Sequence, residues 1–222
     1  MAQASLEITT VTSDGFGENG YVVRCAASGV VAVIDPGNRV EEILDWLERE
    51  GATPVGILLT HAHLDHLEGV AALKDATDAP IWLHAGDRPL YDGVGQQAAM
   101  FGMRIETLPP PDHAWAHGDA YRLGDCDLEV RHVPGHSPGH VILYSAEAGV
   151  AFVGDVVFAD SIGRTDLPGG DYETLMSGIR AQVLSLPDET TLYPGHGPAT
   201  SVGRERVGNP FLAPQFGGSR FA

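Results

Sequence analysis

Two rhythms of apolar and polar positions alternate along this chain. Residues 6–11, 21–25 and 30–34 are short runs rich in β-branched and apolar side chains, bounded by Gly, Asn and Ser, and each predicts a strand. Asp35-Pro36-Gly37 ends the third. From Val40 to Glu50 the period changes. Val40, Ile43, Leu44 and Leu47 recur at helical spacing, acids line the other face, and Gly51 stops the helix. A buried-type strand is expected over 55–59, a helix through 70–73 and a strand over 81–83. Residues 86–117 break the rhythm: Pro109-Pro110-Pro111 excludes regular structure, so the stretch reads as a surface insertion with one short helix. Strands are then expected over 121–123, 128–133, 141–144, 150–153 and 190–193, an amphipathic helix over 172–184 and a short helix over 201–207. The strands fall into two groups, each accompanied by helices. That predicts two packed sheets with helices outside, a layered α/β fold. No repeat or linker divides the chain, so residues 1–222 read as a single domain.

The run Thr60-His61-Ala62-His63-Leu64-Asp65-His66 follows directly on the strand expected at 55–59. Neutral imidazole is the commonest protein ligand for zinc and similar metals, and carboxylate completes such sites. A turn at a strand end lets alternate side chains converge on one point. Three more residues share this placement, each past an expected strand and beside a glycine: His136 in Pro134-Gly135-His136, Asp155 in Gly154-Asp155, and His196 in Pro194-Gly195-His196-Gly197. Glycine allows the sharp turn and close approach that a metal site needs, and loops at strand ends are where α/β scaffolds place active sites.

Composition narrows the partners. The 222 residues carry a formal net charge of -17, and Lys74 is the single lysine among 13 basic residues. So acidic a surface repels phosphate backbones and anionic lipid, which disfavours nucleic acid and membrane and leaves a small-molecule substrate. The first eight residues lack a basic stretch followed by an apolar one, and no apolar run approaches a membrane span, so the reading is cytoplasmic. Cys25 and Cys126 lie far apart and outside any C-x-x-C spacing. Two reduced thiols are the simpler expectation, with a disulfide left open.

With these motifs in family order, the sequence resembles the metallo-β-lactamase fold family of metallohydrolases, over nearly the whole chain. Within it, the segments Ser161-Ile162-Gly163-Arg164-Thr165-Asp166-Leu167-Pro168-Gly169-Gly170 and Tyr193-Pro194-Gly195-His196-Gly197-Pro198 are similar to glyoxalase II-like hydrolases of the short bacterial type. The resemblance implies an αββα fold and a dinuclear site: His61, His63 and His136 on one divalent ion, Asp65, His66 and His196 on the other, Asp155 bridging. Zinc is the first expectation, and the same mixed N/O donors accept iron or manganese. It implies hydrolysis of a thioester such as a hydroxyacylglutathione, with a metal-bridging hydroxide as nucleophile and Asp65 and Asp155 as the carboxylates beside it. Only residues 197–222 follow His196, so the helical C-terminal domain of longer relatives is expected to be absent, which bears on glutathione as carrier. The alternative is a persulfide dioxygenase-like oxidoreductase, similar through Gly163-Arg164-Thr165-Asp166, with one iron on His61, His136 and Asp155. The complete set of seven ligand positions favours the hydrolase.

Several residues have two readings. Asp35 either orients a ligating imidazole or starts a turn. Arg164 either pairs with Asp166 or meets a substrate carboxylate, the pair being favoured. His84, His113, His117, His132 and His140 are expected at the surface or behind the ligands, and Trp46, Trp82 and Trp115 in packing. Cys126 sits between Asp125 and Asp127, which disfavour a thiolate nucleophile. A non-catalytic scaffold has no use for seven positioned ligands, since burying unused acids and imidazoles costs stability.

Overall fold

Successive side chains on a strand point to opposite faces, and here both faces are apolar: Val22 and Val23, neighbours on one strand, belong to two different cores. The structure, a computed structural model, describes residues 5–213. The first sheet follows chain order: β1 (Leu6–Thr12), β2 (Asn19–Cys25), β3 (Val31–Ile34), β4 (Pro54–Leu58), β5 (Ile81–His84) and β6 (His113–Trp115). Then come β7 (Ala120–Leu123), β8 (Cys126–His132), β9 (Val141–Ser145), β10 (Val150–Gly154), the small hairpin β11 (Val157–Phe158) and β12 (Ser161–Ile162), β13 (Thr191–Pro194) and β14 (Thr200–Ser201). The second sheet has the order β14-β13-β10-β9-β8-β7.

Three apolar layers hold the sandwich. Between the sheets, Val23, Ile34 and Leu58 face Leu128, Val130, Leu143 and Phe152. On the outer face of the first sheet, Val22, Val33 and Ile57 pack against α1 (Val40–Glu50), α2 (Leu64–Leu67), α3 (Val70–Thr77), α4 (Arg88–Asp92) and α5 (Val94–Met100). On the outer face of the second, Ile142 and Val153 pack against α6 (Tyr172–Gly178), with Val202 of α7 (Val202–Gly208) in the same cluster. The result is the layered α/β arrangement expected from the sequence. β3 and β4 run parallel in one sheet and β10 and β13 in the other. Their carboxyl ends meet at one edge of the sandwich, where crossover topology leaves a crevice.

The insertion is more regular than expected. It holds two helices rather than one, because Tyr91, Val94 and Ala98 form a buried stripe, and its end adds β6 to the sheet. Trp115 fixes that strand by stacking on Trp82 and donating its indole N–H to the Leu59 carbonyl. The helix expected over 172–184 changes at Ile179 to a π-helical turn, Ile179–Val183. The expectation of two reduced thiols is corrected: Cys25, at the end of β2, and Cys126, at the start of β8, form a disulfide across the sandwich with their Cα atoms 5.8 Å apart. Both face the inter-sheet core, and the 101-residue separation hid the contact. Among the described residues no helix is long and apolar enough to cross a membrane. The readings made on the first four residues and on 214–222 lie outside the described residues.

Closing so long a loop in the unfolded chain stabilises the fold. The Cys25→Ala/Cys126→Ala variant should lose about 2–4 kcal/mol in denaturant unfolding without reductant. An unchanged midpoint would show that the disulfide contributes nothing.

Candidate metal centre

Asp35 sits at the end of β3 with φ 46, in the left-handed region that aspartate tolerates better than most residues. This aims its carboxylate at the neighbouring loop. Asp35 Oδ1 accepts the Thr60 N–H at 2.8 Å, and Oδ2 accepts the Thr60 hydroxyl at 2.6 Å and His66 Nδ1–H at 3.0 Å. With its proton committed to Asp35, Thr60 Oγ1 accepts His61 Nδ1–H at 3.0 Å. Asp35 thus orients His66 directly and His61 through Thr60, so the first of its two readings holds. On the loop after β8, His136 donates Nδ1–H to the Arg164 carbonyl at 2.8 Å. In each case the outer nitrogen is occupied and Nε2 faces the centre, as in ligated histidines; there His136 Nε2 lies 2.8 Å from His63 Nδ1.

The other ligand candidates come from the second sheet. Asp155 follows β10, its N–H held by His140 Nε2 at 3.0 Å, and the His140 ring stacks on His61. His196 follows β13 on a loop pinned by the first sheet. Asn19 bonds the Pro194 and Gly197 carbonyls through its side chain and the Gly195 carbonyl through its N–H, and the Tyr21 hydroxyl bonds Pro194 O at 2.6 Å. Gly195 is required here, because a Cβ would fall on the Asp155 carboxylate and the His66 ring.

The seven residues singled out in the sequence come together. His61, His63 and His136 offer ligand atoms within 4.8 Å of one another, and so do Asp65, His66 and His196. Asp155 lies between the triplets, 3.4 Å from His136 Nε2, 3.4 Å from His66 Nε2 and 3.5 Å from His196 Nε2. Asp35, His61 and His66 also lie close enough to hold an ion. Yet Asp35 is spent on Thr60 and His66 Nδ1, so it orients ligands rather than binding metal. Inside the centre His61 Nε2, His66 Nε2 and Asp155 Oδ1 are buried without any hydrogen-bond partner. Each such orphan costs about 1–3 kcal/mol, and bound cations would satisfy all three. The donor set therefore fits a dinuclear metal site.

The electrostatics divide the histidines. Burial, then the neighbouring imidazoles, hold His61 well below its ordinary range, and burial and His136 lower His63 to about 3, so both are neutral donors. Burial also opposes charge at His66 and His196, but carboxylates outweigh it. Asp65 and Asp155 raise His66, and Asp155 and Asp65 raise His196 to about 10. Burial acts to raise Asp65 and Asp155, but the adjacent imidazoles keep both carboxyls below their usual range.

A cavity of about 230 Å³ opens on the centre, walled by Phe16, Leu64, Phe101, Arg164 and Leu167. Phe16 and Phe101 meet edge to face at its mouth. Arg164 grips Asp166 through two bonds of 2.7 and 2.8 Å, the pairing favoured from the sequence. His84 and His132 stack on each other and His113 lies tilted against Trp82, and neither these rings nor His117 joins the candidate triplets. Glu18, Asn19, Asp87 and Gln97 escaped the sequence reading. Each lies outside the motifs and acts through long-range contacts, and a lone polar residue in a loop or helix gives no periodic signal. Glu18 is fully buried, takes the Ser13 hydroxyl at 2.8 Å and lies 3.9 Å from His66, with burial raising its carboxyl.

The profile of the Metallo-beta-lactamase superfamily matches residues 13–196. The chain belongs to this superfamily. It is 40% identical over 183 residues to the hydroxyacylglutathione hydrolase GloC of Haemophilus influenzae, covering 82% of this chain and 86% of that protein. To the probable metallo-hydrolase YqgX of Bacillus subtilis it is 39% identical over 181 residues, covering 81% and 86%. Among solved structures, TTHA1623 in a di-iron-bound form superposes with a TM-score of 0.85 at 43% identity, over 92% of this chain and 100% of that one. The B3 metallo-beta-lactamase BLEG-1 superposes at 0.87 with 38% identity, over 93% and 100%. ETHE1 from Myxococcus xanthus, at 24% identity and a TM-score of 0.77, shares the fold.

Because the raised His66 and His196 carry protons near neutrality in the metal-free protein, metal must displace them. Calorimetric titration with Zn²⁺ in buffers of different ionisation enthalpy should register net proton release, and apparent affinity should rise with pH until His196 deprotonates near 10. Metal uptake without proton release would contradict these charge states.

Proposed function

We propose that this member of a metallohydrolase family is a metal-dependent thioesterase that hydrolyses hydroxyacylglutathione-type thioesters, with two divalent ions held by the seven residues above. The observation that carries the reading is Asp155, set within 3.5 Å of ring nitrogens from both triplets, where one carboxylate can serve two ions. The 40% identity to GloC supports the substrate class, and the di-iron form of TTHA1623 makes iron as reasonable an occupant as zinc. His61, His63 and His136 would hold one ion, Asp65, His66 and His196 the other. When bound, such ions supply a water nucleophile at neutral pH and positive charge opposite the developing oxyanion.

The chain's own groups set the direction of attack. His61 and His66 are fully buried, while the side chains of Asp65 and His196 keep 15% and 28% exposure, so substrate enters on their side. Asp65, ionised at that open edge, accepts a hydrogen bond from the attacking water and orients it. The apolar wall of Phe16, Leu64, Phe101 and Leu167 excludes bulk water from the thioester. Among the described residues no serine or cysteine considered as nucleophile competes: the Ser137 hydroxyl is committed to Asp87 at 2.7 Å, Ser161 lies outside the cavity lining, and both cysteines are bonded to each other.

Two outcomes are expected. The metal-loaded protein should hydrolyse S-lactoylglutathione in a thioester panel, and Asp155→Ala should lower kcat/KM by more than about 100-fold, beyond the 10–100-fold cost typical of outer-shell partners. Oxygen uptake with glutathione persulfide in place of thioester turnover, or turnover of a β-lactam alone, would contradict the reading. Intact-protein mass spectrometry during turnover should show no acyl adduct, and single turnover in oxygen-18 water should place one label in the acid product. A trapped acyl-enzyme would exclude direct attack by water.

A further inference from the structure

The 86–117 insertion lies outside every ligand motif, yet two of its side chains reach the metal loop. Asp87, between β5 and α4, is fully buried. Its carboxylate accepts the Ala62 N–H at 2.9 Å, the Ser137 hydroxyl at 2.7 Å and the Gly139 N–H at 2.5 Å. Ala62 stands between His61 and His63, and Ser137 adjoins His136. One buried carboxylate therefore ties together the two segments that deliver the three imidazoles of the first triplet. The insertion and the His136 loop are in direct contact there, since a Cβ at Gly139 would fall on the Asp87 backbone.

Gln97 on α5 grips the same loop from the other side. Its amide N–H donates to the Ala62 carbonyl at 2.9 Å and to the Leu90 carbonyl at 2.9 Å, and its Oε1 accepts the Leu64 N–H at 3.1 Å. Both backbone polar groups of Ala62, and the first N–H of α2, thus bond to the insertion. The second triplet is held differently: Asp35 orients His66, and Asn19 and Tyr21 pin the His196 loop. Chemistry sharpens the contrast. The first triplet is three imidazoles without a carboxylate of its own, so its hold on a cation depends on spacing. Ligand distances must fall within about 0.2 Å of ideal for full affinity.

We propose that Asp87, supported by Gln97, is a positioning residue that sets the spacing of His61, His63 and His136, so that the insertion governs the affinity of one metal position and leaves the other nearly untouched. The inference rests on reading those three histidines as the ligands of one ion, and it is independent of the substrate.

The test is competitive-chelator titration of the metal-free protein with Zn²⁺, with Co²⁺ absorption reporting the two positions and the thermal midpoint of the metal-free protein recorded alongside. Asp87→Asn preserves size but replaces a purely accepting group with an amide that must turn its donor hydrogens either toward the Ala62 N–H and the Ser137 hydroxyl or toward the Gly139 N–H. It should weaken the tri-histidine position by about 10–100-fold, the usual cost of losing an outer-shell partner, and leave the other affinity unchanged. Gln97→Ala should shift the same position in the same direction. Asp35→Asn should show the opposite selectivity, weakening the Asp65, His66 and His196 position more. Wild-type affinity at the tri-histidine position in Asp87→Asn, or an equal loss at both positions with a lower metal-free midpoint, overturns the proposal. If Asp87→Asn does not fold, Gln97→Ala, whose side chain is only half-buried, decides it by the same criterion. Should the wild-type protein bind a single ion at the three histidines, the dinuclear reading fails, while the affinity for that ion in the variants still decides the role of Asp87.

Discussion

His61, His66 and His136 each commit Nδ1 to an outer partner, and for His61 and His66 the inner nitrogen is then bare and buried. Bare ring nitrogens in a dry interior are unfavourable, and the carboxylates Asp65 and Asp155 offset this at His66 only by holding a proton there. The rest of the architecture depends on this constraint. These side chains can face one another only because a wider frame of hydrogen bonds stops them from turning away: Asp35 and Thr60 behind His61 and His66, the Arg164 carbonyl behind His136, and His140 behind Asp155. A bound cation would restore the balance, and metal affinity would then depend on the rigidity of the frame.

The sandwich supplies that rigidity. Carboxyl ends of strands from both sheets deliver ligands to one edge, and the sheets are joined on either side of the site. At the active edge Asn19 and Tyr21, from the first sheet, hold the His196 loop of the second. At the opposite end of β2, the Cys25–Cys126 disulfide joins the sheets again. Movement of one sheet against the other would pull His136, Asp155 and His196 away from the loop that carries His61, His63, Asp65 and His66, and the apolar layer between the sheets resists it. The insertion adds an outer brace to the loop that carries His61 and His63.

Much of this was legible in the sequence because it is local. The spacing of His61, His63, Asp65 and His66 and the glycines beside His136, Asp155 and His196 single out the residues that converge, and the short β-branched runs announce the strands. What stayed hidden is long-range. Cys25 and Cys126 are 101 residues apart and meet only because the two sheets pack face to face. Asp87 looks like a solvent-facing acid until β5 and the His136 loop close over it. Glu18, fully buried behind His66, precedes a strand without any motif. In 86–117 the three prolines drew attention from the stripe Tyr91, Val94 and Ala98, which was there to be found and makes two helices where one was expected.

The central claim, that one carboxylate joins two metal positions, is tested most directly by anomalous diffraction at the metal absorption edge from crystals grown with saturating Zn²⁺ or Fe²⁺. The account predicts two full peaks about 3.5–4 Å apart, one beside His61, His63 and His136, the other beside Asp65, His66 and His196, with Asp155 between them. A single peak at the three histidines, with none beside His66 and His196 at saturating metal, would contradict it.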